Sequence, residues 1–220
     1  MTKILSCIAL ALAIAVAFPS SKVQAYPKPS VNRVSWELDF KHGLPQRIAV
    51  TLPGADAPKA FWYMTFTVTN NSKEEQSFLP IFDLVDDHGN VHRSDQNIPK
   101  NVFDAIKARE KIKLLEPIAK ASGRILVGPD QAHDSVAIWP EPLERMGSFS
   151  IFITGLSGEA VWFKDGKETP LSKADWIKTK QAEAGEVLRK TLQIDIQIPG
   201  DEFYQGRDQV IQKDETWVMR

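Results

Sequence analysis

Cysteine is almost missing from this 220-residue chain, with Cys7 the only one. A disulfide framework, a thiol nucleophile and a thiolate metal site are thereby excluded from everything after residue 25. A charge excess of either sign is also lacking, since 27 basic and 28 acidic side chains leave a formal net charge of −1. The basic series Lys107, Arg109, Lys111 and Lys113 has no aromatic residues interleaved with it. It reads as a solvated face, and no nucleic-acid partner is expected. Internal repeats and low-complexity linkers are absent too, which favours one domain over two.

The first residues carry an address. Lys3 is followed by an apolar run over residues 4–18, a break at Pro19-Ser20-Ser21, and Val23-Gln24-Ala25, which ends in the small residue a leader peptidase requires. Residues 1–25 are therefore expected to be a signal peptide cleaved after Ala25, and residues 26–220 a single exported domain, periplasmic or extracellular. The apolar run is shorter than the roughly 20 residues of a spanning helix, so no transmembrane anchor is expected to remain. Cys7 precedes most of that run, whereas a lipidation cysteine follows it. The remaining chain is long enough to bury a core without covalent help.

A period of two dominates the chain beyond residue 32. Val34, Trp36, Leu38 and Phe40 alternate with Arg33, Ser35, Glu37 and Asp39, and His42-Gly43-Leu44-Pro45 is then expected to turn the chain. Ile48, Val50 and Leu52 repeat the pattern, as do Trp62, Met64, Phe66 and Val68 opposite Tyr63, Thr65, Thr67 and Thr69. Asn70-Asn71-Ser72 supplies turn chemistry, and Asp86-Asp87-His88-Gly89-Asn90 reads as a hairpin loop with Gly89 left-handed. The period changes over residues 99–110, where Val102, Phe103 and Ile106 fall at helical spacing behind Asn97 as a cap. Strands return over 123–127, 135–139, 148–154 and 160–163, with Asp165-Gly166 as a hairpin turn, and then at Leu192, Ile194, Ile196 and Ile198. Residues 172–186 are polar and read either as a surface helix or as an irregular loop. These spacings predict a mainly β chain, an antiparallel immunoglobulin-like β-sandwich with one short helical insertion.

The run from Trp62 to Ser72 with Phe78 and the stretch from Phe82 to Asn90 resembles the central hairpin of bacterial exported immunoglobulin-like domains. With Val136-Ala137-Ile138-Trp139-Pro140, Gly155-Leu156-Ser157-Gly158-Glu159, Arg189-Lys190-Thr191-Leu192 and Trp217-Val218-Met219-Arg220, the chain is similar to an uncharacterised family of secreted bacterial proteins of planctomycete type. That resemblance implies the fold and the compartment, and brings no catalytic residues with it.

Candidate chemistry is sparse. Asp86, Asp87, His88 and His92 combine carboxylates and imidazoles that can bind zinc or copper across a tight hairpin, although the same residues are what a turn requires. Trp139 and Trp176 are the tryptophans whose context allows exposure, and flat exposed rings are what sandwich modules use to stack sugars. Ser157 lies in Gly155-Leu156-Ser157-Gly158, but Glu159 stands where a nucleophile elbow needs its second glycine. His133-Asp134 are strand neighbours and so face opposite ways. Glu74-Glu75, Glu141 with Glu144, and Asp201-Glu202 read as surface carboxylates. No cofactor is expected. The sequence points first to a non-catalytic module binding a protein partner or a glycan, and second to a hydrolase using carboxylates or a loop-bound metal.

Overall fold

The computed structural model describes residues 26–142, 147–171, 185–199 and 209–220. The expected leader, residues 172–184 and Trp176 lie outside them. Alternating apolar residues build β1 (Asp39–His42) and β2 (Gln46–Thr51), which run end to end along β3 (Pro58–Thr69). The expected turn at residues 42–45 is instead a bulge. His42 faces Phe66 and Gln46 faces Tyr63, so the chain gains one residue on β3 without changing direction. Gly43 N–H still reaches Thr65 O at 2.9 Å, while Pro45 has no N–H to offer the ladder.

The strand expected to begin near residue 33 enters this ladder only at Asp39, for a related reason. Leu38 N–H donates to Leu156 O at 2.8 Å and Gly158 N–H to Trp36 O at 3.0 Å, so the chain first pairs with residues 156–158, which lie between strands, and only then joins β3. Val34, on the apolar side of the pattern, is left exposed.

After β3 come β4 (Gln76–Phe78), β5 (Ile81–Asp86), β6 (Val91–Arg93), α1 (Lys100–Glu110), β7 (Glu116–Pro117), α2 (Ile118–Ala121), β8 (Gly123–Ile125) and β9 (His133–Pro140). The chain continues with β10 (Ser148–Thr154), β11 (Ala160–Lys164), β12 (Lys167–Pro170), β13 (Glu186–Gln197) and β14 (Ile211–Met219). In the first sheet β3 lies between β1–β2 and β9, and β7 adds a short parallel edge to β9. In the second, β13 pairs with β14 along one edge and with β10 and β11 along the other, and β5 and β6 extend beyond β10. Strands β4 and β8 form a separate pair. The Asp165-Gly166 turn joins β11 to β12 with φ of 49° and 76°, as a two-residue hairpin needs.

The sheets meet through the faces the alternation specified. Trp62, Met64, Phe66 and Val68 of β3 share one core with Phe82 and Leu84 of β5, Ile151 and Ile153 of β10, and Leu192, Ile194 and Ile196 of β13. Each such side chain contributes roughly 1.5–3 kcal/mol by leaving water. The opposite face of β3 is not the wetted one the pattern suggested. Phe61 and Tyr63 join Val136 and Ile138 in a second core, closed by Val102 and Ile106 of α1. The protein is thus mainly β with antiparallel sheets and a helix laid over the outside of one of them. No helix among the described residues is long and apolar enough to cross a membrane.

Helix α1 occupies the expected span with a different start. Pro99 stands at its N-cap with no side-chain cap, and Asn97, expected to cap it, has φ of 55° and turns the incoming chain instead. Lys111, at φ 56°, ends it by donating its N–H to Lys107 O.

Candidate functional site

The β5–β6 loop brings one ligand atom each from Asp86, Asp87 and His88 within 4.8 Å of one another, and leaves His92 out of that group. What Asp86 does there is structural. Its Oδ1 accepts from His88 N–H at 3.0 Å and Asn90 N–H at 2.8 Å, and its Oδ2 accepts from Asn90 Nδ2 and contacts His92 Nε2, each at 3.0 Å. Burial pushes the Asp86 carboxyl up, but the hydrogen bonds from His92, Asn90 and His88 outweigh it and hold the group at about 2. Gly89 N–H bonds Asp86 O at 3.0 Å with φ of 85°, the left-handed position that closes a three-residue hairpin loop. Asp87 reaches across to Gly147 N–H at 2.7 Å. Every oxygen of Asp86 is engaged in shaping the loop, leaving little for a metal to take.

Trp139 is fully buried and corrects the expectation that it could stack a sugar. It faces Trp62 across β3 and β9 on the inward side of the first sheet, so its ring is core. Trp176, its companion in that expectation, lies outside the described residues. Ser157 Oγ donates to Trp36 O at 3.3 Å and accepts from Glu159 N–H, so it holds a loop rather than waiting for a base. A Cβ on Gly158 would lie 2.3 Å from Trp36 Nε1, so that glycine is fixed by close approach. His133 and Asp134 do point apart, His133 to Glu116 at 2.6 Å and Asp134 to Thr67 at 2.7 Å. Glu75 pairs with Arg124 and Glu141 with Arg47. Asn70 is buried, and its amide donates to Glu74 O and Ile125 O while Ser72 N–H returns to its Oδ1.

The feature that the sequence did not single out lies beside α1. A groove of about 660 Å³ runs between the first turns of α1, the return at residues 113–115, β7 and α2, with Ile138 of β9 as part of its floor. Its walls are apolar, from Ile98, Phe103, Leu114, Leu115 and Ile118, and Leu114 at its lip is 72% exposed. Asp95 lines it. The Asp95 N–H donates to Ile138 O at 2.7 Å, and its φ is 59°. Its Oδ2 is buried and has no hydrogen-bond partner, the only charged atom in that condition among the described residues. Burial pushes the carboxyl up to about 6, against a smaller lowering by Ser94 and the backbone near Ile138.

The other acids of the groove are spoken for. Asp104 pairs with Lys100 at 2.6 Å and Glu116 with His133 at 2.6 Å. In the cleft beside the β5–β6 loop, which is similar in size, Asp86, His92, Arg93 and Glu141 are all paired. An apolar concavity with an exposed apolar side chain at its lip is a common form of ligand site. Comparison with protein-family models, with curated proteins and with solved structures returns no match for this chain.

Proposed function

We propose that this chain is an exported, non-catalytic module of immunoglobulin-like sandwich type that binds a protein partner through the groove beside α1. The observation that carries the reading is the apolar concavity itself, walled by Ile98, Phe103, Leu114, Leu115 and Ile118, with Leu114 72% exposed at its lip. The reading departs from a hydrolase because Asp95 has no free second carboxylate beside it, Asp104 and Glu116 being paired. It departs from a glycan module because the groove walls are mostly aliphatic and Trp139 is core. Support for export comes from the leader pattern of residues 1–25, and support for kinship with secreted immunoglobulin-like modules from the residues between Trp62 and Asn90. The core shared between the inward faces of the two sheets supports the sandwich type.

The test is site-specific photocrosslinking in the producing cells, with benzoylphenylalanine at Leu114 or, as a control, at the exposed Val31. A discrete protein adduct from position 114 and none from position 31 supports the reading. Equal or absent labelling at position 114 contradicts it.

A further inference from the structure

We infer that Asp95 is a proton-operated latch on the groove: protonated, it lets residues 94–98 pack against β9 as part of the wall, and ionised, it opens that segment until water reaches the carboxylate. The latch works whatever occupies the groove, so the unliganded chain tests it.

Three parts make the latch. The first is a charge site sealed from water. Asp95 Oδ2 is buried in the wall without a partner, and a hydrogen bond from Ser94 is what the carboxyl receives from a neighbouring side chain. A neutral carboxyl tolerates such a place far better than a carboxylate. The second is a segment held lightly between two firm ends. Ser94 N–H donates to Phe82 O at 2.9 Å on one side, and on the other Pro99 starts α1 by accepting from Val102 N–H at 3.0 Å. Between them Gln96 and Asn97 are exposed, and Asp95 and Asn97 hold left-handed φ of 59° and 55°. Ile98 is the one apolar side chain of the segment, so little burial opposes its opening. The bond from Asp95 N–H to Ile138 O, at 2.7 Å, ties it to β9. The third is the consequence for the groove, since Ile98 and Ile138 both line it.

The surrounding charges leave Asp95 unrelieved. On α1, Lys100 pairs with Asp104 at 2.6 Å, and Lys107 donates to Leu115 O at 2.8 Å. Lys113 before β7 and Lys120 on α2 stand exposed at the rim. Glu116 of β7 faces His133 of β9 at 2.6 Å, while on β6 Arg93 turns to Asp83 and His92 to Asp86. Histidine is the other side chain whose charge ordinarily changes near neutral pH, so His92 and His133 serve as controls.

The test is amide exchange and methyl NMR on the full chain. Corrected for intrinsic rates, the Asp95 amide should exchange about tenfold faster at pH 7.5 than at pH 5, through an opening that 1 M urea does not promote. The Ile194 amide should exchange more slowly at both pH values. The Ile98 and Ile138 methyl resonances should move with the Asp95 carboxyl carbon, and that of Ile194 should stay in place. Asp95→Asn should abolish both responses, as should Asp95→Gly, in which glycine accepts the positive φ. His92→Gln and His133→Gln should preserve them. Exchange at position 95 that matches Ile194 in rate and urea dependence would overturn the latch, because the segment would then open only with the whole fold. Equal corrected rates at the two pH values, responses that survive Asp95→Asn, or responses lost in either histidine variant would overturn it as well.

Discussion

Tyr63 Oη donates a 2.5 Å hydrogen bond to Glu110 Oε1, so the last residue of α1 is tied to the strand beneath it. Gln46 Nε2 reaches the same oxygen at 3.3 Å, and the Arg109 guanidinium lies 5.8 Å from the Tyr63 ring. Burial, and then the Glu110 carboxylate, push the Tyr63 hydroxyl well above its ordinary range, so it remains a donor at any physiological pH. Tyr63→Phe removes that donor and leaves Glu110 with the weaker bond from Gln46. The expected loss is about 1–3 kcal/mol by urea unfolding. Amide exchange in α1 should accelerate more than in β13, because the bond anchors the helix and not the sandwich core.

Asp95 sets a pH dependence of the opposite sense to most carboxylates. Its folded value of about 6 lies above the ordinary 3.8. The native state therefore holds the extra proton between those values, and stability falls as pH rises through that window. Below about 3.8 the penalty is absent, and above about 6 it is complete. Asp95→Asn should gain at most about 3 kcal/mol over the parent at pH 8 and close to nothing at pH 3.5, read from paired denaturation curves.

Asp86 behaves the other way. Held at about 2 in the folded chain, it stabilises above 3.8 and loses that contribution as pH falls through about 2. Asp86→Asn places an amide where Asn90 Nδ2 and His92 approach, and should cost about 1–3 kcal/mol at pH 7, shrinking toward zero below pH 2. Because its oxygens are engaged, calorimetric zinc titration of the parent chain should show no binding at micromolar metal. A saturable heat at that concentration would restore the loop as a metal site.

Trp139 is expected to matter for folding and not for sugars. Trp139→Ala opens a void between the sheets and should cost about 3–5 kcal/mol. Polysaccharide pull-down under native conditions should be the same for the parent and for Trp139→Phe, which keeps an aromatic ring.

The fold was legible where one face of a strand is dry and the other wet. The residues of β10 and residues 192–197 of β13 alternate cleanly, and Phe149, Ile151, Leu192 and Ile194 all point inward as their spacing predicts. Legibility failed where a face is covered from outside. Tyr63 sits among threonines at period two, a pattern of a wetted face, and only α1 packing over it makes it core. It failed again at His42-Gly43-Leu44-Pro45, because glycine and proline mark a bulge as readily as a turn, and local sequence does not say which partner continues beyond it. The β5–β6 loop was readable because nearly all its bonds are made within a few residues. The groove was not, since its lining comes from residues 95–120 together with Ile138, joined through the Asp95 bond to β9. Nothing about Asp95 as a letter differs from Asp104, which is paired and exposed nearby.

The central claim is that the wall of the groove beside α1 is packed as described, with Asp95 Oδ2 sealed into it and without a partner, and carboxyl carbon NMR on the aspartate-labelled chain measures it most directly. With the resonance assigned through Asp95→Asn, the titration midpoint should fall near 6. A midpoint at or below 4 would mean that the carboxylate is hydrated or already paired, and the packing described for this wall of the groove would be contradicted.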